Sequence, residues 1–241
     1  MENVGIKVGG LVKKLKETVA LSSVTADFIP ATLHGVIGPD GAGKTTLMRV
    51  LVGLLRQDSG TIRYEAGGRE IPFKEIRPDM AYMPQQQSLY PDLSVEEHLE
   101  FFRELYRIPA GIYGERRDRL LHLTRLEQFR DRPAGKLSGG MYKKLGLMCA
   151  LLQSPRVVLL DEPTNGVDPI SRREFWDLLY GLVDEGILVV ISTAYMDEAE
   201  RCGKVHVLDS GRILAEGEPR AVLEKEGVAS FEELFLRVEA P

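Results

Sequence analysis

The chain has 241 residues, 44% of them hydrophobic and 28% charged, with a formal net charge of −5. That length buries a sizeable core in one domain, or in a domain with an inserted subdomain. The slight acidity argues against a sequence-independent nucleic-acid binder, so no nucleic-acid partner is expected. No apolar run approaches the roughly 20 residues that span a bilayer; the longest, residues 186–191, has strand length. The N-terminus shows no basic region followed by a long apolar stretch, so no secretory signal is expected. Cys149 and Cys202 lie far apart and lack metal or redox spacing. They read as buried free thiols in a reducing compartment.

Residues 4–11 and 19–28 carry the apolar residues of two strands, separated by the charged run Lys13-Lys14-Leu15-Lys16-Glu17. Residues 32–37 read as a short buried strand, and residues 46–52 as a helix. Between them Gly38-Pro39-Asp40-Gly41-Ala42-Gly43-Lys44-Thr45 matches the phosphate-loop pattern G-x-x-x-x-G-K-[ST]. Glycines let backbone N–H groups turn inward around a polyphosphate, at a helix N-terminus that favours anions. Lys44 adds a charge against the outer phosphates, and Thr45 a hydroxyl for Mg²⁺. Residues 60–64 and 69–73 flank a hairpin turn at 65–68, and the strand 80–83 ends at Pro84.

From Ser94 the period becomes helical. Ser94 and Glu97 form a capping box, followed by Leu99, Phe102, Leu105 and Tyr106. A second helix is predicted over 117–129, so that residues 90–152 read as a helical insertion. The β/α pattern then resumes, with strands at 156–161 and 187–192, a helix at 172–182, and strands 205–208 and 212–215 around a tight turn. Alternating strands and helices predict a mainly parallel sheet with helices on both faces. Residues 231–236 are amphipathic and suit packing at the domain's edge or a dimer contact.

Asp161-Glu162 ends the buried strand 156–161, where open α/β sheets bind ligands. Asp161 is positioned for Mg²⁺, and Glu162 for polarising an attacking water as general base. In Leu137-Ser138-Gly139-Gly140-Met141, Ser138 and the glycines open a helix and could bind an anion.

Taken together, the phosphate loop, Tyr82-Met83-Pro84-Gln85, Leu-Ser-Gly-Gly at 137–140, Leu160-Asp161-Glu162-Pro163 and Gly166-Val167-Asp168 closely resemble the nucleotide-binding domain of ATP-binding-cassette (ABC) transporters. The resemblance covers nearly the whole chain. It implies an α/β P-loop NTPase (RecA-like) core with an antiparallel β subdomain and an inserted helical subdomain. A single nucleotide-binding domain over 1–241 is expected, with 1–89 and 153–241 as core plus β subdomain and 90–152 as helical subdomain. ATP and Mg²⁺ are the implied cofactors. Gly38, Pro39, Asp40, Gly41, Ala42, Gly43, Lys44, Thr45 and Thr46 would bind ATP, and Thr45, Gln85 and Asp161 would hold Mg²⁺. Glu162, Gln85 and Lys44 would be catalytic. Leu137, Ser138, Gly139, Gly140 and Met141 would serve a nucleotide held by a second cassette, with Asp168 at the dimer seam.

Within that family the segments 166–173 and 195–200 look most like ATPase subunits of bacterial ABC-2-type exporters. Segments 38–43 and 134–141 look like the N-terminal half of tandem-cassette drug-efflux subunits. The resemblance implies an integral membrane permease as partner, whose cytoplasmic helix would enter a groove beside Gln85. It also implies a location on the cytoplasmic side, peripheral to the cell membrane. Four positions depart from the family pattern. Ala194 stands where Ser-Thr-His is usual, and Leu15 near the place of an adenine-stacking aromatic. Met141 replaces a common Gln, and Asp40 a common Asn. The alanine side chain offers no donor to a γ-phosphate, so a hydrolytically weak site is expected, with the intact signature serving a competent site on a different cassette. The alternatives are that Glu162 and Gln85 suffice without a histidine, that the chain is a non-hydrolysing structural cassette in a heterodimer, or that it is a soluble, non-transport ABC ATPase.

Overall fold

The computed structural model describes residues 2–86 and 89–239. Among the described residues ten strands form two sheets. Strands β1 (Val4–Leu15), β2 (Thr18–Phe28), β4 (Ser59–Ala66) and β5 (Arg69–Ile71) make an antiparallel sheet in the order β2-β1-β4-β5. Strands β3 (Leu33–Ile37), β6 (Met80–Met83), β7 (Val157–Asp161), β8 (Leu188–Thr193), β9 (Lys204–Asp209) and β10 (Arg212–Gly217) make the second, in the order β10-β9-β3-β8-β7-β6. It is parallel apart from β10, which returns antiparallel to β9. The helices are α1 (Lys44–Leu51), α2 (Phe73–Ile76), α3 (Val95–Leu105), α4 (Ala110–Thr124), α5 (Gly139–Leu151), α6 (Pro169–Asp184), α7 (Pro219–Glu226) and α8 (Phe231–Glu239).

Side chains alternate across a strand, and the parallel sheet shows this on both faces. Val157, Leu159, Leu188 and Val190 pack with Leu47 and Met48 of α1 and with Ile6 and Phe28 of the antiparallel sheet. Their neighbours Val158, Leu160, Val189 and Ile191 face the other way, against Leu145 and Met148 of α5 and Phe175, Trp176 and Leu179 of α6. Two cores thus share one sheet, and β7 and β8 are buried along their whole length. Cys149 and Cys202 are buried free thiols, as the sequence predicts, and burial pushes both above the usual thiol range.

Several element boundaries differ from the sequence reading; the strand expected over 69–73 ends at Ile71, and Phe73 opens α2. The charged run at 13–17, read as lying between the strands, is strand as far as Leu15, which pairs with Thr18 across a two-residue turn at Lys16-Glu17, Lys16 having φ +55°. Asp58 secures it by accepting from Lys13 Nζ (3.2 Å) and from the Lys14 amide (2.6 Å). The helix predicted over 117–129 instead spans Ala110–Thr124 and stops at Arg125, φ +58°. Gly111 and Gly114 hide its first two turns from a periodicity reading, and residues Glu127–Phe129 form a separate 3₁₀ turn. The helix predicted to start at 172 begins at Pro169, because Asp168 Oδ1 accepts from the Ile170 and Ser171 amides at 3.1 and 3.0 Å. The expected capping box on α3 is present, with Ser94 and Glu97 bonded reciprocally.

Where β3 meets β9, His34 Nδ1 lies 3.0 Å from His206 Nε2, and His34 Nε2 lies 3.1 Å from the Ile29 carbonyl. Both rings are fully buried and lie against Phe28. Burial, then the neighbouring His206 ring, lowers the His34 pKa to about 3. Glu216 sits 3.3 Å from His206 Nδ1. Against the cost of its own burial, the His206 ring and the Lys204 ammonium pull its pKa down to about 2. An unfolded chain takes up a proton on histidine near pH 6.5, whereas folded His34 does so near 3. The unfolded state therefore binds more protons between these values. The contribution is complete above pH 6.5 and is lost as pH falls toward 3, by about 1.4 kcal/mol per pH unit well inside the window. Unfolding by urea should accordingly show falling stability from pH 7 to pH 5, while the His34 ring keeps its neutral NMR signature in the folded protein. A protonated His34 ring in folded protein at pH 5 would contradict this account.

Candidate functional site

Residues 38–43 carry the chain from β3 into α1, and sterics fix which of them must be glycine. A Cβ on Gly38 would lie 2.0 Å from the Leu208 carbonyl oxygen of β9. A Cβ on Gly43, φ +107°, would lie 2.5 Å from the Ala20 carbonyl oxygen of β2. No side chain caps α1, so its first-turn amides remain available to an anion. Lys44 is buried, and its Nζ donates to the Gly38 and Pro39 carbonyls at 2.8 and 3.0 Å. An ammonium has three N–H donors. These bonds hold it at the mouth of the loop with one donor left for a ligand.

The carboxylate pair lies across from the loop. Asp161, fully buried at the end of β7, accepts from Thr45 Oγ1 (3.1 Å), from Tyr82 OH (3.2 Å) and from Ser192 Oγ. Burial, then the Asp161 charge, raises the Tyr82 pKa to about 12, so its phenol stays a donor. Glu162 adopts φ +46°, a left-handed conformation rare outside glycine. Its amide is held there by the carbonyl and the hydroxyl of Ser192, at 3.1 and 3.0 Å. The Glu162 carboxylate receives Gln85 Nε2 at 2.7 Å and Asn165 Nδ2 at 3.2 Å on Oε2, while Oε1 lies 3.7 Å from Lys44 Nζ.

An open cleft of about 790 Å³ brings these groups together. Asp40, Gly41, Gly43, Lys44, Thr45, Thr46, Gln85 and Glu162 line one side, and Leu15, Thr18, Val19 and Ala20 of the β1–β2 hairpin line the other. Gly38, Pro39, Ala42 and the fully buried Asp161 do not line the cleft. Leu137, Ser138, Gly139, Gly140, Met141 and Asp168 do not line this cleft. Ser138 instead caps α5 by accepting from the Met141 amide (3.3 Å), and Gly140 lies where a Cβ would come within 2.4 Å of Ser171. Ala194 follows directly on β8. None of the four histidines lines the cleft.

Four further side chains belong to this constellation but did not stand out in the sequence. Ser192 bonds both carboxylate residues, and Tyr82 holds the second oxygen of Asp161. Asn165 reaches Glu162, and Lys143 of α5 donates to the Gln85 carbonyl at 3.0 Å. Burial, opposed by the Glu162 and Asp161 charges, lowers the Lys143 pKa. Ser192 and Tyr82 fall inside motifs noticed for other residues. Asn165 and Lys143 carried no signal of their own.

Among the described residues no group of three or more His, Cys, Asp or Glu could hold a metal ion. What the site offers is a hydroxyl and a carboxylate 3.1 Å apart, with an amide nearby. These are hard oxygen donors that suit Mg²⁺ sharing phosphate oxygens and waters, not an all-protein cage. A phosphate loop joined to a paired carboxylate at the C-terminal ends of a parallel sheet defines a P-loop NTPase core.

Comparison with known proteins narrows that class. The ABC transporter family model matches residues 21–165. The chain is 42% identical over 239 residues to the probable multidrug ABC transporter ATP-binding protein YbhF of Escherichia coli (strain K12), covering 96% of this chain and 40% of that protein. It is 36% identical over 224 residues to the Nod factor export ATP-binding protein I of Ralstonia nicotianae, covering 92% of this chain and 69% of that one. A solved ATP-binding subunit of an ABC transporter superposes with TM-score 0.83 at 28% identity, covering 98% of this chain and 99% of its own. The chain belongs to the ABC transporter family, and its fold is that of an ABC nucleotide-binding domain.

Gly38→Ala should lower thermal stability and abolish nucleotide binding, because a methyl group at 2.0 Å from a backbone oxygen forces the loop to move. Overpacking of this kind costs about 1–3 kcal/mol. Gly41→Ala, whose added Cβ meets nothing within 4 Å, should be milder despite its φ of +82°. Thermal denaturation and fluorescent-nucleotide titration of both variants check this; equal loss in the two would contradict it.

Proposed function

We propose that the chain binds Mg·ATP and hydrolyses it as the nucleotide-binding domain of an ABC-2-type exporter. In this reading residues 1–241 form one such domain, with 90–152 as its helical subdomain. The observation that carries the proposal is the placement of Glu162 between Lys44 and Gln85 at the mouth of the phosphate loop. The loop amides and Lys44 bind the phosphates, and Thr45, Asp161 and Gln85 hold Mg²⁺. When bound, that ion neutralises charge on the phosphate oxygens. Glu162 then accepts a proton from the attacking water, oriented with the help of Gln85.

Two observations support the proposed partners. Ser138, Gly139 and Gly140 lie off the chain's own cleft, which suits a nucleotide held by a second cassette. Tyr90, Phe101 and Leu105 are exposed apolar side chains on α3 and the segment leading to it, which suits docking of a permease helix. Among the described residues no helix is long and apolar enough to cross a membrane; attachment to the cytoplasmic face, through the permease, is part of the proposal. The relatives' names, multidrug transporter and Nod factor export protein, support export as the direction.

Ala194 supplies no donor to the γ-phosphate, so hydrolysis at this site is slowed. The signature serves a more competent site on a second, different cassette. One charge-assisted hydrogen bond is worth about 1.5–3 kcal/mol, or one to two decades in rate if fully expressed in the transition state. Mg-ATP hydrolysis should be slow in the wild-type chain, absent in Glu162→Gln, and raised up to about a hundredfold in Ala194→His. ATP binding, measured separately, should persist in all three. Wild-type turnover in Glu162→Gln would overturn the assignment of the base. Unchanged turnover in Ala194→His within an assembled complex would remove the explanation for a slow site.

A further inference from the structure

We propose that Tyr195, acting through Asn165, is a positioning residue for Glu162, and that this hydroxyl–amide relay aims the carboxylate in a site whose residue 194 carries no donor. The inference rests on the reading of Glu162 as the general base. It begins with how firmly Tyr195 is held although its ring is partly exposed. The Tyr195 amide donates to Thr193 Oγ1 at 3.0 Å, and the Arg172 guanidinium of α6 stacks over the ring, 4.7 Å from its centroid. Arg172 is in turn flanked by the carboxylates of Asp197 (3.7 Å) and Glu198 (3.8 Å). Buried Glu198 accepts from Thr193 Oγ1 and Thr164 Oγ1 at 2.8 and 2.7 Å. The loop after β8 and the turn after β7 are therefore locked to each other.

From this anchored ring the Tyr195 hydroxyl donates to Asn165 Oδ1 at 3.2 Å. The inventory of donors then decides which end of the Asn165 amide faces the base. Its oxygen is taken by the tyrosine proton, so its Nδ2 is the end turned to Glu162 Oε2, also at 3.2 Å. The reversed amide would bring a carbonyl oxygen against a carboxylate. With Gln85 Nε2 donating to the same Oε2 at 2.7 Å, that oxygen is held by two amides. Among the described residues Oε1 receives no hydrogen bond of this kind, and it lies toward Lys44, 3.7 Å away. Oε1 is thus the oxygen left to accept the proton of an attacking water. Tyr195 touches neither the carboxylate nor the cleft, so its effect passes through the orientation of Asn165.

The test compares Tyr195→Phe, Asn165→Ala, the double variant and Glu162→Gln with the wild-type chain. Steady-state Mg-ATP hydrolysis is measured beside titration with a fluorescent ATP analogue and thermal denaturation. Tyr195→Phe should lower kcat about three- to tenfold, the scale of one net hydrogen bond, with KM, nucleotide Kd and Tm within error of wild type. Asn165→Ala should do the same, and the double variant should be no slower than the slower single one. Independently of turnover, the side-chain amide NMR signals of Asn165 should shift and exchange faster in both Tyr195→Phe and Glu162→Gln. Multiplying losses in the double variant, a change in KM alone, wild-type kcat in Tyr195→Phe, or unmoved Asn165 signals would each overturn the relay. Wild-type turnover in Glu162→Gln would instead overturn the reading of the base, a separate failure.

Discussion

The site depends on the burial of one negative charge. Asp161 is inaccessible to solvent, and an unpaired carboxylate in such a place is prohibitively costly. It is kept by three hydroxyl donors, Thr45, Tyr82 and Ser192, each from a different element. Satisfying that one group therefore fixes the start of α1, the strand β6 and the end of β8 relative to β7. The phosphate loop is rigid at its other end for a steric reason, since Gly38 and Gly43 press directly on the backbone of β9 and β2. Between the buried charge and the two close backbone approaches, little freedom remains in the groups that would meet a nucleotide.

The strand order explains why Ser192 is the joint of this arrangement. The loop follows β3 and the carboxylates follow β7, but the two strands are not neighbours, because β8 lies between them. Ser192 pairs with Val36 on one side and with Asp161 on the other. Its hydroxyl bonds the Asp161 carboxylate and the Glu162 amide together. The left-handed backbone at Glu162 is thus held by the strand that separates the two halves of the site. Such strain persists only where the surroundings over-determine it.

How much of this can be read from the chain follows from how local each feature is. The phosphate loop and the Asp161-Glu162 pair are contiguous motifs, so their chemistry is legible from residue types at fixed spacing. The alternation of apolar residues along β7 and β8 is likewise local, and the parallel sheet follows from it. Ser192, Tyr82, Asn165 and Lys143 are ordinary residues until β6, β7, β8 and α5 are placed side by side. Strand order and the docking of α5 are properties of the assembled fold. The misplaced elements show the same division. Lys13 and Lys14 look like a loop until Asp58, 44 residues from Lys14, completes the hairpin, and α4 is masked by glycines that its buried Tyr113 and Leu120 outweigh.

Lys143 shows how separate parts of the molecule bear on one carboxylate. The Gln85 side chain touches Glu162, and its carbonyl is held by Lys143, one turn beyond the Ser138-capped start of α5. A half-buried lysine retains such a bond because it offsets the loss of hydration that lowers its pKa. The helix that presents Ser138 and Gly139 outward therefore grips, on its inner side, the backbone of Gln85, whose side chain touches Glu162. Because α5 also packs through Leu145 and Met148 into the core shared with β7 and β8, it cannot turn without moving either that core or Gln85. Close packing transmits such a shift instead of absorbing it. A contact at the outer face of α5 and the aim of Glu162 are mechanically one problem in this fold.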